Sequence, residues 1–228
     1  MIETNGRNEL EIAIDGGTST GKSSTSERVA KRLGLVHIDT GLVYRTLAWT
    51  VAFHRLNPDD ATDCLRLAED LATEFEFIDG ETVRAGVVVL KSEHLRTAKV
   101  TDWSSRVAVH AEARQVLLDL QRRAAADGAV VEGRDIGTVV LPDADLKIFL
   151  TVSEAERLRR STKSGGAALA QINSERDRRE TTRQTAPLVA VPEALTLDTS
   201  NLTVIEVADL IVDRALALRW PKVGATQT

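Results

Sequence analysis

A chain of 228 residues, 43% of them apolar, can bury a sizeable core and fits either one domain with an insertion or two small domains. Its 34 acidic and 29 basic residues leave a net charge of -5, which argues against a basic surface coating nucleic acid but leaves a small anionic ligand open. The lone cysteine, Cys64, excludes an internal disulfide and a cysteine-built zinc site; there is no basic-then-apolar leader, and no apolar run nears the ~18 residues of a membrane span. The expectation is a cytoplasmic protein in a reducing compartment, neither exported nor inserted, with no nucleic-acid or membrane partner.

In chain order, Leu10 to Asp15 reads as a buried strand that breaks into Gly16-Gly17, and a helix follows from about Gly21 to Leu33 with Gly34 as its stop. A second strand, Leu35 to Ile38, leads through Asp39-Thr40-Gly41 to an amphipathic helix over Tyr44 to His54. Strand, helix, strand, helix predicts an α/β fold, a parallel sheet with helices on both faces. After the turn cluster Asn57-Pro58-Asp59-Asp60 the pattern changes to one short helix and strands near Phe75 to Ile78 and Val83 to Leu90, which reads as an insertion over about 60–100. Alternation resumes with one long helix from Thr101 to about Ala126, then strands at Ala129 to Glu132 and Leu146 to Thr151. Ser153 with Glu156 and Thr203 with Glu206 form capping boxes that start two further helices, the last placing Val204, Val207, Ile211 and Ala215 on one face. Ser161 to Thr185 is charged and poor in core residues, the candidate mobile element, and the tail after Trp220 is expected to fray. There are no internal repeats.

Gly16-Gly17-Thr18-Ser19-Thr20-Gly21-Lys22-Ser23 satisfies G-x-x-x-x-G-K-[ST] in full, between a predicted strand and a predicted helix. Such a loop turns successive N–H groups inward as a nest for a polyphosphate at the positive end of the helix; Lys22 reaches the terminal phosphates and the Ser23 hydroxyl can join a magnesium shell. The bland alternative is a plain turn with a helix cap. The chain is too short for a motor with its sensor elements and lacks the Asn-Lys-x-Asp of a GTPase, so most of it remains for a second substrate.

Arginines supply that second site. Arg45 follows Tyr44 after the second strand, and on the long predicted helix Trp103, Val107, His110, Arg114, Leu117 and Gln121 share a face, so Arg114 lies on a largely apolar surface and needs an anion. A structural ion pair would also satisfy it. Gly133-Arg134-Asp135 falls at the carboxyl end of a strand, where open parallel sheets bind ligands. Arg176, Arg178, Arg179 and Arg183 crowd the mobile segment, as a solvated helix face would also do. Arginines from three distant segments around a phosphate loop suit phosphoryl transfer to an acceptor that is itself a phosphate. Such an acceptor is already ionised, so alignment and charge neutralisation replace a strong general base.

The stretch IAIDGGTSTGKSSTSERVAKRLGLVHIDTGLVYR from Ile12 to Arg45 resembles the opening of bacterial cytidylate kinases. So does VVEGRDIGTVVLPDADLKIFLTVSEAER from Val130 to Arg157, and ERDRRETTRQTAPLVAVPEALTLDTSNLTVIEV resembles the family's lid end and final helix. The resemblance implies a three-layer P-loop kinase core with a parallel sheet, a nucleotide-binding insertion with a small sheet, and a helical lid. It divides the chain into core 1–59, insertion 60–100, core 101–160, lid 161–185, core 186–220 and a disordered tail 221–228. It implies transfer of the γ-phosphate of ATP to CMP or dCMP with Mg²⁺ in a monomer; a kinase of UMP or a modified pyrimidine nucleotide, or a non-catalytic nucleotide-binding module, are the alternatives.

Residue by residue, the resemblance assigns Gly16, Gly17, Thr18, Ser19, Thr20, Gly21, Lys22, Ser23 and Ser24 to ATP, with Ser23 on the metal. It assigns Thr40, Tyr44, Arg45, Ser105, Arg114, Gly133, Arg134, Asp135, Arg176, Glu180 and Arg183 to CMP, and to catalysis Lys22, Arg134, Arg176 and Arg183. Asp39 or Asp135 would assist the metal through water. Glu180 stands where the family's usual Asp approaches the acceptor sugar, Gly17 replaces a common proline, Val88 to Ser92 deviates, and Ser164-Gly165-Gly166-Ala167-Ala168 makes the lid look short. Trp49, Trp103 and Trp220 are read as packing anchors, Cys64 as half-buried and His37 as non-catalytic.

Overall fold

The computed structural model describes residues 10–219. The expected alternation produces a five-stranded sheet whose order is β2-β6-β1-β7-β8 and in which every neighbouring pair is parallel. Its strands are β1 (Glu11–Gly16), β2 (Val36–Asp39), β6 (Ala129–Gly133), β7 (Leu146–Thr151) and β8 (Leu195–Asp198). The two-residue period of β1 divides its side chains between two cores. Ile12 and Ile14 pack with Val29 and Ala30 of α1 (Lys22–Leu33) and Val207, Ile211 and Ala215 of α8 (Val204–Arg219), whereas Ala13 packs on the opposite face with Leu118 of α6 (Ala111–Ala124) and with Ile136. This makes three layers, helix, sheet and helix.

A second helical core joins α2 (Gly41–Phe53), α3 (Ala61–Glu74), α5 (Ala98–Val107) and α6 around Leu47, Val51, Leu67 and Leu117. Cys64 belongs to it and is fully buried rather than half-buried, with its thiol pushed up to about 11 by burial. Trp49 and Trp103 pack against the same cluster, while Trp220 and the expected frayed tail lie outside the described residues.

Several expected elements are redrawn. Helix α2 begins at Gly41, three residues before the predicted start. The run Val83 to Leu90 is a hairpin rather than one strand: β4 (Thr82–Ala85) and β5 (Val88–Lys91) pair antiparallel about Gly86, whose φ of +58° turns the chain, and β3 (Phe75–Phe77) completes a three-stranded sheet. A short helix α4 (Ser92–Leu95) then leads to α5. The long helix expected over Thr101 to Ala126 is broken into α5 and α6. His110 caps α6 in an extended conformation and its Nε2 lies 2.9 Å from the Pro58 carbonyl, so tertiary contact outweighs the continuous apolar stripe.

The helix α7 (Glu154–Thr182) starts after Ser153, as its capping residue predicts, and runs on through nearly all of the segment read as a lid. It is interrupted at Gly165 and Gly166, the latter at φ +74°, where a side chain would be strained. Contacts between Arg157 and Asp177 (2.9 Å) and between Ser161 and Asn173 (3.2 Å) run in antiparallel register across the break, so α7 is a helical hairpin. Ser153 caps its start by accepting from Glu156 N–H at 3.4 Å, but the Glu156 carboxylate is taken by Arg159 and Arg160. At α8 the box is reciprocal, with Thr203 N donating to Glu206 Oε2 at 2.7 Å and Glu206 N to Thr203 Oγ1 at 3.2 Å. No helix among the described residues is long and apolar enough to cross a membrane.

Candidate active site

Because β1, β2 and β6 are parallel neighbours, their carboxyl ends deliver three loops to one place: the glycine loop after β1, Asp39-Thr40 after β2, and Arg134-Asp135 after β6. With α7 above and α5 and α6 to one side, they enclose a cleft of about 450 Å³. Gly17 to Ser24 line its floor, and Gly16 ends β1 just beneath. Thr40, Tyr44, Arg45, Arg114, Gly133, Arg134, Asp135, Arg176, Glu180 and Arg183 all face it. Ser105 does not: its hydroxyl donates to the Asp102 carbonyl and accepts from Arg179, and Thr101 and Ser104 form that wall.

Lys22 is buried at the floor, 3.9 Å from Glu132 Oε2. Burial pushes its pKa down to about 8, with the Arg134 charge acting in the same direction. Its folded value therefore lies below the ordinary 10.5, the unfolded chain binds more protons between those values, and this lysine's contribution to the stability of the ligand-free protein rises with pH from about 8 to 10.5. A polyphosphate laid against Lys22 favours the charged form and reverses the shift. The lysine's share of the proton uptake on binding a polyphosphate is expected to be about half a proton near pH 8 and almost none near pH 6. Calorimetry in buffers of different ionisation enthalpy reads this directly, and proton uptake that did not change between the two pH values would contradict it.

Two buried carboxylates face Lys22. Asp39 and Glu132 are register neighbours across β2 and β6. Glu132 accepts from Ser23 Oγ at 2.9 Å and lies 3.1 Å from His37 Nε2; burial opposes its ionisation, but His37 and Lys22 hold its pKa down. Asp39 accepts from Gly41 N–H at 2.9 Å and lies 3.3 Å from Arg96 Nη2, and burial together with the Glu132 charge pushes its pKa up. Asp15, at the end of β1, accepts the amides of Ile136 and Gly137 at 2.8 Å each and so pins the single π-helical turn Ile136–Val140 that follows Asp135. Burial raises Asp15 to about 6 despite those two donors.

The arginines converge from separate elements on the opposite side. Arg45 donates to the Leu95 carbonyl and the Thr101 hydroxyl, 2.9 Å each, and burial with the nearby Arg176 charge pushes it down to about 9. Arg114 pairs with Asp135, stands 5.1 Å from the Tyr44 ring centre and donates to the Ala108 carbonyl at 3.3 Å. That carbonyl lies in the break between α5 and α6, so the interruption helps aim Arg114. The ion pair expected for Arg114 on general grounds and a place in the cleft are both realised. Glu180 receives Arg134 and, at 3.4 Å, Arg176; burial opposes its charge, but these two cations hold it down at about 2. Arg183 Nη2 comes within 3.5 Å of Asp135 Oδ1 without making a hydrogen bond, and Arg176 Nε also has no partner. Arg176 and Arg183 both line the cleft and each carries one buried donor without a partner, a costly arrangement that a nearby anion would relieve. In the charge run, Arg178 is exposed, Arg176 is buried and Arg179 binds α5.

The cytidylate kinase family model matches residues 12–216 of this constellation's chain. The chain belongs to the cytidylate kinase family. The cytidylate kinase of Streptomyces avermitilis is 41% identical over 215 residues, covering 88% of this chain and 90% of that protein. The cytidylate kinase of Citrifermentans bemidjiense is 38% identical over 216 residues, covering 90% and 91%. Among solved structures, a protein from Eubacterium ventriosum superposes with a TM-score of 0.51 over 92% of this chain and 99% of that one, at 11% identity, a likeness of fold alone. As a member of the cytidylate kinase family the protein is an enzyme, a nucleotide-binding phosphotransferase.

Several residues in or beside the cleft were not singled out in the sequence as contacts, Glu132, Arg96, Ser104 and Asp177 among them. Glu132 closes a strand just before Gly133-Arg134-Asp135 and reads as core until its strand neighbours are known. Arg96 reaches Asp39 from the insertion, and Ser104 exchanges places with Ser105 on α5. Asp177 accepts from the glycine loop at Thr18.

Proposed function

We propose that the enzyme transfers the γ-phosphate of ATP to CMP and dCMP. One observation carries the reading: two anion cradles face each other across a single cleft, the glycine loop with Lys22 on one side and Arg45, Arg176 and Arg183 on the other, the last two with unused buried donors. A donor polyphosphate on the loop and an acceptor monophosphate on the arginines meet in line between them. No side chain need remove a proton, because a nucleoside monophosphate presents an ionised oxygen. Arg134, held by Glu180 and by the Gly133 carbonyl at 3.2 Å, stands beside the meeting point and is kept charged by that carboxylate against its burial. Arg176, Arg183 and Lys22 neutralise the transferring group on either side, stabilising charge that is crowded together in the transition state.

The donor set fits a magnesium ion. Ser23 spends its proton on Glu132 and keeps its oxygen lone pairs free, and two adjacent buried carboxylates, Asp39 and Glu132, exceed the charge of the one lysine beside them. When bound there, Mg²⁺ would be held by the Ser23 hydroxyl with Glu132 and Asp39 behind it, and would draw charge from the donor phosphates. The acceptor sugar edge is assigned to Glu180, whose engagement with two arginines ties sugar contact to phosphate contact.

The test is to incubate the protein with ATP, Mg²⁺ and each nucleoside monophosphate and to resolve the products. CDP and dCDP are expected. Turnover of UMP alone would overturn the acceptor assignment while keeping the reaction class, and ATP binding without any diphosphate product would leave a non-catalytic module.

A further inference from the structure

Asp177 is absent from the expected site, yet it makes the most direct contact between the lid hairpin and the glycine loop. Its Oδ1 accepts the Thr18 amide at 2.8 Å, and its Oδ2 accepts both the Thr18 hydroxyl at 2.7 Å and Arg157 Nη1 at 2.9 Å. Asp177 as a whole is 6% exposed. Around it the loop tip is wedged into the hairpin: Ser19 Oγ lies 2.7 Å from Ser161 Oγ, Asn173 donates to that same hydroxyl at 3.2 Å, and Arg160 donates to the Ser19 carbonyl at 3.2 Å. Both arms of α7 are therefore anchored on Thr18 and Ser19, and the freely exposed stretch shrinks to 162–168, around Gly165 and Gly166.

The neighbours of Asp177 on the same arm face the other substrate. Arg176 precedes it, Glu180 lies one turn on and holds Arg134, and Arg183 follows at the end of the helix. One helical stretch thus touches the donor loop through Asp177 and the acceptor cradle through Arg176, Glu180 and Arg183. We propose that Asp177 is a positioning residue, a latch that registers the acceptor arginines against the donor loop and passes occupancy of the loop to them. Its contact to Thr18 is charge-assisted and buried, so it has the strength to set the position of a helix that is otherwise hinged at its far end. The inference rests on the two-cradle reading of the cleft.

The variants are Asp177→Asn, which keeps the size and one acceptor, and Thr18→Val, which removes only the hydroxyl. With ATP and CMP, Asp177→Asn is expected to lower kcat about 30-fold while KM for ATP stays within about 3-fold, because alignment rather than binding is lost. Thr18→Val is expected to lose part of the same kcat, and the double variant Asp177→Asn with Thr18→Val to be no slower than Asp177→Asn alone. A loss in kcat that only follows a fall in Tm, or strictly multiplicative losses in the double variant, would overturn the latch. A second readout does not need turnover. Binding of a non-hydrolysable ATP analogue is expected to raise hydrogen-exchange protection of 176–183 in the parent protein and not in Asp177→Asn; equal protection in both overturns the proposal. Should the parent protein make no CDP, the functional reading fails by itself and this exchange measurement still decides the latch.

Discussion

Lys22→Ala is expected to lower kcat for phosphoryl transfer by about 10³-fold or more, some 4 kcal/mol of transition-state stabilisation, while the protein remains folded. The size follows from the position. Lys22 is 7% exposed at the cleft floor, where a charge acts through a poor dielectric on any phosphate seated in the loop. The fold gains little from the lysine itself, since burial has already pushed it down to about 8, and Glu132 keeps His37 and Ser23 after the change. Thermal unfolding of the variant should therefore match that of the parent, or improve on it. Lys22→Arg is expected to fail almost as badly, because a planar fork does not replace a point charge in a closed space. Steady-state kinetics beside a melting curve decides the matter: a variant that keeps a tenth of its kcat sinks the assignment of Lys22 to the transferring phosphate.

Arg183→Ala is expected to reduce kcat by about 10³-fold and to raise KM for CMP by less than about 10-fold. Its Nη2 has no hydrogen bond in the ligand-free protein, so the guanidinium holds a donor in reserve for charge that arrives later. Burial and the neighbouring Arg114 cation push its pKa down, the sign of a site short of negative charge until substrate enters. On the two-cradle proposal, ground-state binding of CMP keeps Arg45 and Arg176, whereas the charge of the transferring group loses one of its neutralising partners. Arg183→Lys should recover part of the rate, as the charge returns without the fork. A variant that raised KM and left kcat alone would mean that Arg183 only holds the acceptor.

Much of this was legible in the chain. The strand, loop and helix from Leu10 to Leu33 were readable because backbone geometry and phosphate chemistry both act over a few residues there, and the structure ends the helix at Gly34 as expected. The arginines were legible as a group because a guanidinium cannot shed its proton and must meet an anion wherever it is buried. Boundaries that depend on distant partners were not legible. The apolar stripe through Trp103, Val107, His110 and Arg114 suits one helix, and only the contact of His110 with Pro58, 52 residues away, shows why the chain breaks there. Gly86 could be seen as a glycine in a strand but not as the turn of a hairpin until Val83 paired with Leu90. Ser104 and Ser105 are indistinguishable by type and adjacent on one helix; which of them faces the cleft follows from the angle at which α5 packs and from Arg179 arriving to take Ser105.

The sequence by itself determined the parallel α/β architecture, the phosphate-loop motif and a set of arginines that need anions, because each rests on local periodicity, local spacing or the fixed charge of a side chain. Only the tertiary structure decided how those charges are apportioned. Asp39 and Glu132 become a pair because β2 and β6, 93 residues apart at that register (39↔132), lie side by side. Asp177 reaches Thr18 because a helix interrupted at Gly165 and Gly166 folds back over the loop. Burial and proximity set which carboxylates pair with which cations, and neither quantity exists until the chain has folded.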